Sequence, residues 1–383
     1  MDTDLSTLDI AAGMVLPHAS KGGTRGTRRH PNAAGVWTPR EALEAAILPA
    51  LHRPPCLVSF SGGRDSAAVL ATATALARRE GLPDPVPATN LFASEQDADE
   101  SAWQELLVHH LELADWIRIE YTNDLDLIGP YAQRVLRAHG LLWPANVHFH
   151  LPLLEAARAG SLLTGIGGDE LYMAARRLRS GAVLSRAVRP RPRDALSLAF
   201  AFAPRRLRKT VHARRATLEV PWLRRSAMRQ VIDAFAAEAA SEPRRLRERL
   251  AWWQELRYLK VGTASLDLIA RETGTLILHP LLSPAFWAAV ATAWGPHGFA
   301  DRTEAARRLF GDLLPPKLVE RESKTSYDKV FWTDRSRAFA RQWDGSGVPL
   351  QWVDANELAR HWTESNPSVP SSCLLQAAWL ASA

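Results

Sequence analysis

The apolar run Cys56-Leu57-Val58-Ser59-Phe60 passes directly into Ser61-Gly62-Gly63-Arg64-Asp65-Ser66, and an alanine-rich stretch of helical spacing follows to residue 80, where Gly81 ends it. A buried strand, a turn of small residues and a helix in immediate succession open a βαβ unit. The same alternation continues. Strands are predicted over 88–93, 116–121 and 161–164, and helices over 38–51, 99–113, 126–139 and 151–159. Thr38-Pro39 supplies a cap and a first-turn proline for the earliest of these helices. The pattern predicts an α/β fold, a doubly wound parallel sheet of about five strands with helices on both faces.

Beyond about residue 172 the strand signals stop. Helical pattern broken by prolines runs through 195–203, 221–240, 243–271, 284–294, 302–313, 334–342, 354–363 and 371–381. Residues 1–36, basic and glycine-rich over 21–30, are predicted to form a flexible arm. Residues 37–175 then form the α/β domain, and 176–383 a mainly α-helical region that completes it.

Composition removes several classes. At 46% apolar and 23% charged residues the chain is globular. No apolar run reaches the about 18 residues of a membrane span, so no membrane partner is expected. Two cysteines, Cys56 and Cys373, without paired spacing argue against a disulfide scaffold or a zinc site. Met1-Asp2-Thr3-Asp4 has neither the basic start nor the apolar core of a signal peptide, and the cytoplasm is the expected compartment. The net charge of +6 raises the question of an acidic partner without answering it.

Two motifs carry chemistry. In a parallel sheet ligands bind at the carboxyl ends of strands. A helix N-terminus there presents unpaired N–H groups and the positive end of a dipole to an anion. Gly62 and Gly63 allow the backbone close to a phosphate, and Ser61 and Ser66 add hydroxyl donors. Asp65 would repel a polyphosphate unless a divalent cation, ordinarily Mg2+, lies between them. The second motif, Thr164-Gly165-Ile166-Gly167-Gly168-Asp169-Glu170, repeats the logic: small residues at a strand end, then an acid. Asp65 and Asp169 on neighbouring strand ends could hold magnesium against a triphosphate. Read plainly, each motif is a glycine turn with a helix cap.

These motifs resemble those of the PP-loop (HUP-like) ATP pyrophosphatases. Together they look like the synthetase domain of the asparagine synthetase family over roughly residues 40–335. The resemblance implies that Ser61, Gly62, Gly63, Asp65 and Ser66 bind the pyrophosphate of ATP, and that Asp65 and Asp169 are magnesium ligands. It implies that Ser94 meets the adenine, that Thr164 and Gly165 line the nucleotide pocket and that Gly167 lies beside them. The implied reaction is attack of a carboxylate on the α-phosphorus, giving an acyl-adenylate and pyrophosphate, followed by displacement of AMP by an amine. In Pro315-Pro316-Lys317-Leu318-Val319-Glu320-Arg321-Glu322-Ser323-Lys324, Arg321 and Lys324 match the family's Arg-x-x-Lys segment. Lys324 is the catalytic cation on that pattern, set to neutralise charge on the α-phosphate or the leaving pyrophosphate.

The chain departs from the family pattern in three places. Asp2 stands where the glutaminase nucleophile, a cysteine, would be, and about 50 residues precede the first strand. A glutaminase domain is therefore not expected, and the amine would come from a separate donor or partner protein. Ile166 replaces the glutamate or tyrosine that family members carry three residues before the aspartate. Leu276 and Leu278 replace both charged members of the segment matched by Leu276-Ile277-Leu278-His279-Pro280-Leu281-Leu282-Ser283. The acceptor is then better pictured as a larger, more apolar carboxylate, small molecule or peptide, than as a charged amino acid. A lasso-peptide-type macrolactam cyclase and a non-catalytic nucleotide-binding relative both remain compatible with these residues.

Residues 176–215 hold thirteen Lys and Arg and one acid, Asp194. They read either as solvated helix faces with a connector or as a docking face for an acidic peptide or RNA, with Arg176, Arg177 and Arg179 nearest the second motif. A tRNA substrate is disfavoured by the missing cysteine pair. His148-Phe149-His150 and His109-His110 lack a carboxylate or cysteine at ligand spacing and read as packed or surface residues. Trp143, just before Asn146, is a possible wall of the acceptor pocket.

Overall fold

The computed structural model describes residues 3–17, 37–92, 99–176, 194–295, 298–321 and 328–382, together with Val183, Arg189, Arg191 and Pro192. After a short helix α1 (Thr7–Ala12) come α2 (Pro39–Leu51), β1 (Cys56–Ser59), α3 (Arg64–Arg79), β2 (Val86–Phe92), α4 (Ser101–His110), β3 (Ile117–Tyr121), α5 (Pro130–His139), α6 (Leu151–Ala156), β4 (Ser161–Leu163) and α7 (Gly168–Ala175). The second part contains α8 (Asp194–Phe202), α9 (Arg205–Arg215), α10 (Arg225–Ala239), α11 (Leu246–Gln254), α12 (Arg257–Thr273) and β5 (Leu276–Leu278). It ends with α13 (Pro284–Trp294), α14 (Arg302–Phe310), α15 (Pro316–Val319), α16 (Asp334–Gln342), α17 (Ala355–Trp362) and α18 (Ser372–Ser382).

The five strands pair in parallel in the order β3-β2-β1-β4-β5. Alternation of side chains places the strands' residues in two different cores. Val58 and Leu163 join α2, α3 and α13 on one face, whereas Leu57, Leu162 and Ile277 join α5, α6 and α12 on the other. The sheet is therefore doubly wound, as the alternation of strands and helices requires. Helix α2 starts where Thr38 accepts from Glu41 N and Glu41 returns the bond, a capping box with Pro39 in the first turn.

Four sequence expectations need correction. The strand signal does not end near residue 172: Leu276-Ile277-Leu278 forms β5, contributed to the sheet by the helical region. Residues 3–17 are not part of a flexible arm. Helix α1 buries Ala11 and Ala12, its Asp9 (2% exposed) receives the Arg257 guanidinium at 2.9 Å, and Trp222 donates to Ala11 O at 2.8 Å. The expected helix over 243–271 is two helices, α11 and α12, and the basic stretch contains a helix, α9, that falls outside the expected helical segments. Buried Asp126 ties the two parts together: it caps the start of α16, where Thr333 makes no side-chain cap of its own, by accepting from Thr333 N (3.0 Å) and Ser336 N (3.2 Å).

Candidate active site

The chain reverses direction across the sheet between β1 and β4, and a cavity of about 550 Å³ opens at the carboxyl ends of these two strands. Its floor is the first motif. Gly62 adopts φ +84°, which favours glycine, and turns the loop so that α3 begins at Gly63 with no side-chain cap. The first N–H groups of a 16-residue helix thus remain open toward the cavity. Ser61 and Ser66 brace the turn: their hydroxyls are 3.2 Å apart, and Ser66 also donates to Gly63 O at 3.1 Å. Ser61, Gly63, Asp65 and Ser66 line the cavity, while Gly62 does not.

The second motif closes over the first. A Cβ at Gly165 would stand 2.7 Å from Ser66 N, and one at Gly168 would stand 2.2 Å from the Asp65 carboxyl carbon. Only glycine at these two positions lets the loops touch. Thr164, Gly165, Gly167 and Asp169 all line the same cavity. The Asp65 and Asp169 carboxylates face one another across it, held by one guanidinium: Arg302 Nη2 donates to Asp65 Oδ2 at 2.6 Å and Nη1 to Asp169 Oδ1 at 2.5 Å. Arg302 lies over the Tyr172 ring at 4.7 Å, and its buried Nε has no partner among the described residues. Burial pushes the Asp65 pKa up against the opposing pull of Arg302. Glu170 lies beside them, its pKa also raised by burial.

Two hard carboxylates over a helix N-terminus fit magnesium, which takes one or two protein carboxylates and completes its shell with substrate phosphates and water. No cluster of three or more potential ligands occurs among the described residues, so a closed, all-protein metal cage is not offered. Asp65 and Asp169 would hold the ion. The orphaned Nε of Arg302 and the open α3 N–H groups fit a polyphosphate.

A second arginine, also on the cavity, locks the loop. Arg321, 7% exposed, makes a bidentate ion pair with buried Glu100, donates to Gly62 O at 3.0 Å and lies 4.8 Å over the Trp103 ring. The remaining wall is neutral. Phe149, Ile166 and His150 line it. Burial pushes the His150 pKa down to about 4. Behind it His279 Nδ1 meets Thr164 Oγ1 at 2.7 Å, and burial beside His150 pushes its pKa to about 3. Both rings are uncharged at neutral pH.

Of the residues proposed from sequence, Ser94 and Lys324 lie outside the described residues, as do Arg177 and Arg179. Arg176 is exposed, and Trp143 packs with Phe331 and Trp332 in the core of the helical region; neither lines the cavity. His150 does line it, against the expectation of a packed or surface residue, whereas His148 is packed and bonds Leu125 O at 2.9 Å. Arg302 and Glu100 were not anticipated. The one available signal for Arg302 was its position opening the helix before Pro315-Pro316.

A doubly wound parallel sheet with a glycine-rich turn at its switch point, and two facing acids above that turn, defines a nucleotide-binding protein of the PP-loop type. The family model described as asparagine synthase matches residues 39–379, and the chain belongs to that family of ATP-dependent ligases. No curated protein matches it significantly.

Proposed function

We propose that the protein is an AMP-forming carbon–nitrogen ligase that adenylates a carboxylate with ATP and Mg2+ and passes the acyl group to an amine. The observation that carries this reading is the convergence of Asp65 and Asp169 into one cavity above the open N-terminus of α3. Ser61, Ser66 and the first N–H groups of α3 would receive the β- and γ-phosphates. Asp65 and Asp169 would hold magnesium, which would supply charge neutralisation of the triphosphate. Arg64 and Arg302, both on the cavity, are set to offset charge on the leaving pyrophosphate. The carboxylate then attacks the α-phosphorus and breaks its bond to the bridging oxygen; the amine attacks the acyl carbon, expels AMP and loses a proton.

The neutral wall of Phe149, Ile166 and His150 supports a carboxylate carried on a larger, more apolar molecule, such as a peptide, over a free charged amino acid. Lys324, matched by pattern, would act on the α-phosphate. Exchange of labelled pyrophosphate into ATP, run with a panel of small and peptidic carboxylates, tests the reading. Exchange that depends on one carboxylate supports it. ATP binding without exchange for any carboxylate would instead favour a non-catalytic relative.

A further inference from the structure

Helix α8, Asp194-Ala195-Leu196-Ser197-Leu198-Ala199-Phe200-Ala201-Phe202, is almost wholly apolar, and a helix apolar all round is ordinarily buried. Here Leu196 is 77% exposed and Phe202 59%, although Phe200 meets the His212 ring of α9 at 5.4 Å, so α8 is covered on one side and bare on the other. The neighbouring helix α9 is strongly basic, has no buried residue and exposes Leu207 at 54%. Three of the seven exposed large apolar side chains among the described residues therefore fall within one helical hairpin. Lys209 of α9 is neutralised by Asp233 at 2.6 Å, but Arg206, Arg214 and Arg215 are exposed and have no acidic partner among the described residues.

The hairpin is anchored toward the cavity. Arg244, two residues before α11, donates to Ala201 O at 3.0 Å and covers Phe202 at 4.2 Å. Arg249 on α11 donates to Ala174 O and, at 2.6 Å, to Arg176 O, at the end of the helix that carries Asp169. By helix rise and arginine reach the path from hairpin to cavity is roughly 25–30 Å, which about nine extended residues can cover.

We propose that α8 and α9 form a docking surface for an acidic, leucine-rich segment of the polypeptide whose carboxylate is activated in the cavity. This rests on the ligase reading given above. Charge complementarity selects the occupant. A second copy meeting the same face would set Arg206, Arg214 and Arg215 against like charge. Single-stranded nucleic acid would want stacking rings, and the exposed ring of Phe202 already carries Arg244. An acidic segment with spaced apolar side chains satisfies both the guanidinium groups and the bare α8 surface.

The test is fluorescence anisotropy of the full chain with a fluorescein-labelled peptide of Glu-Leu-Glu repeats. A short oligothymidylate and phosphatidylglycerol–phosphatidylcholine vesicles serve as rival probes. Peptide binding is expected, weakening at least about 10-fold between about 50 and about 300 mM salt. The combined Arg206→Glu, Arg214→Glu and Arg215→Glu variant is expected to lose at least about 10-fold in affinity. The Leu196→Ser and Leu207→Ser variant should lose affinity without changing the salt dependence. Absence of peptide binding, affinity unaffected by both variants, or tighter binding of the oligonucleotide or vesicle overturns the proposal. Because the assay needs no ATP, such a failure leaves the ligase reading intact, and pyrophosphate exchange judges that separately.

Discussion

Arg302→Met leaves the Asp65 and Asp169 carboxylates facing each other without a cation, and its consequence is calculable from the structure. Each carboxylate now accepts one short charge-assisted hydrogen bond from the guanidinium, a class of bond that contributes about 1.5–3 kcal/mol. The pair is partly wet, with side-chain exposures of 18% for Asp65, 29% for Arg302 and 48% for Asp169, so the sum is discounted. A net loss of about 2–3 kcal/mol follows. For a chain of this length, at about 2.1 cal/mol/K per residue, unfolding entropy is about 0.8 kcal/mol/K, and Tm should fall by about 3 °C. Magnesium should then replace the lost cation. With a Kd near 1 mM, 10 mM Mg2+ would restore about 1.4 kcal/mol, or 1–2 °C. Thermal unfolding in the absence of ATP, at matched ionic strength with KCl as control, measures both effects. The wild-type protein, its acids already paired, should respond to magnesium less than the variant. A variant as stable as wild type, or one indifferent to magnesium, refutes the account of Arg302 as the ion that holds the two acids.

Other outcomes follow from the same geometry. Gly168→Ala puts a methyl group within 2.2 Å of the Asp65 carboxyl carbon, and displacing that group by about 1 Å should cost about 100-fold in pyrophosphate exchange; a rate within about twofold of wild type would mean that the carboxylate position is not critical. Glu100→Gln strips the buried Arg321 of its counter-charge and should cost about 3–5 kcal/mol in denaturant unfolding, with the Glu100→Leu, Arg321→Met pair less damaging than Glu100→Gln alone. Burial raises the Glu238 pKa from the ordinary carboxylate range, near 4.5, to about 7. The folded state therefore binds the extra proton within that window, and stability should fall as pH rises from about 4.5 to about 7. Glu238→Gln should flatten that slope in Tm against pH, and an unchanged slope assigns it to other groups.

The parts of the cavity lining that are legible in the sequence are the local ones. Strand, glycine turn and helix are consecutive in Ser61 to Ser66 and again in Thr164 to Asp169, so periodicity and turn chemistry reveal them without tertiary knowledge. Arg302 was illegible because it meets Asp65 across 237 positions, and the Glu100–Arg321 pair spans 221. Nothing in the spacing of the chain marks such partners. Strand β5 escaped notice because three apolar residues, Leu276-Ile277-Leu278, carry too short a period to separate strand from buried helix. Helix α1 is masked in the sequence by the basic stretch that follows it; its own signals are Ser6 with Asp9 three residues on, which form a capping box, and Gly13, which takes the left-handed conformation after the last helical residue.

If Asp65 and Asp169 act on nucleotide through a shared magnesium ion, ATP affinity must depend on both acids and on the metal together. The most direct measurement is the ratio of ATP affinity with excess Mg2+ to ATP affinity in EDTA, taken by calorimetry on the wild-type protein, Asp65→Asn and Asp169→Asn. The account predicts that wild type binds the magnesium complex at least about 10-fold more tightly than free ATP, and that each amide variant brings the ratio close to one. A wild-type preference that survives undiminished in both variants would contradict it.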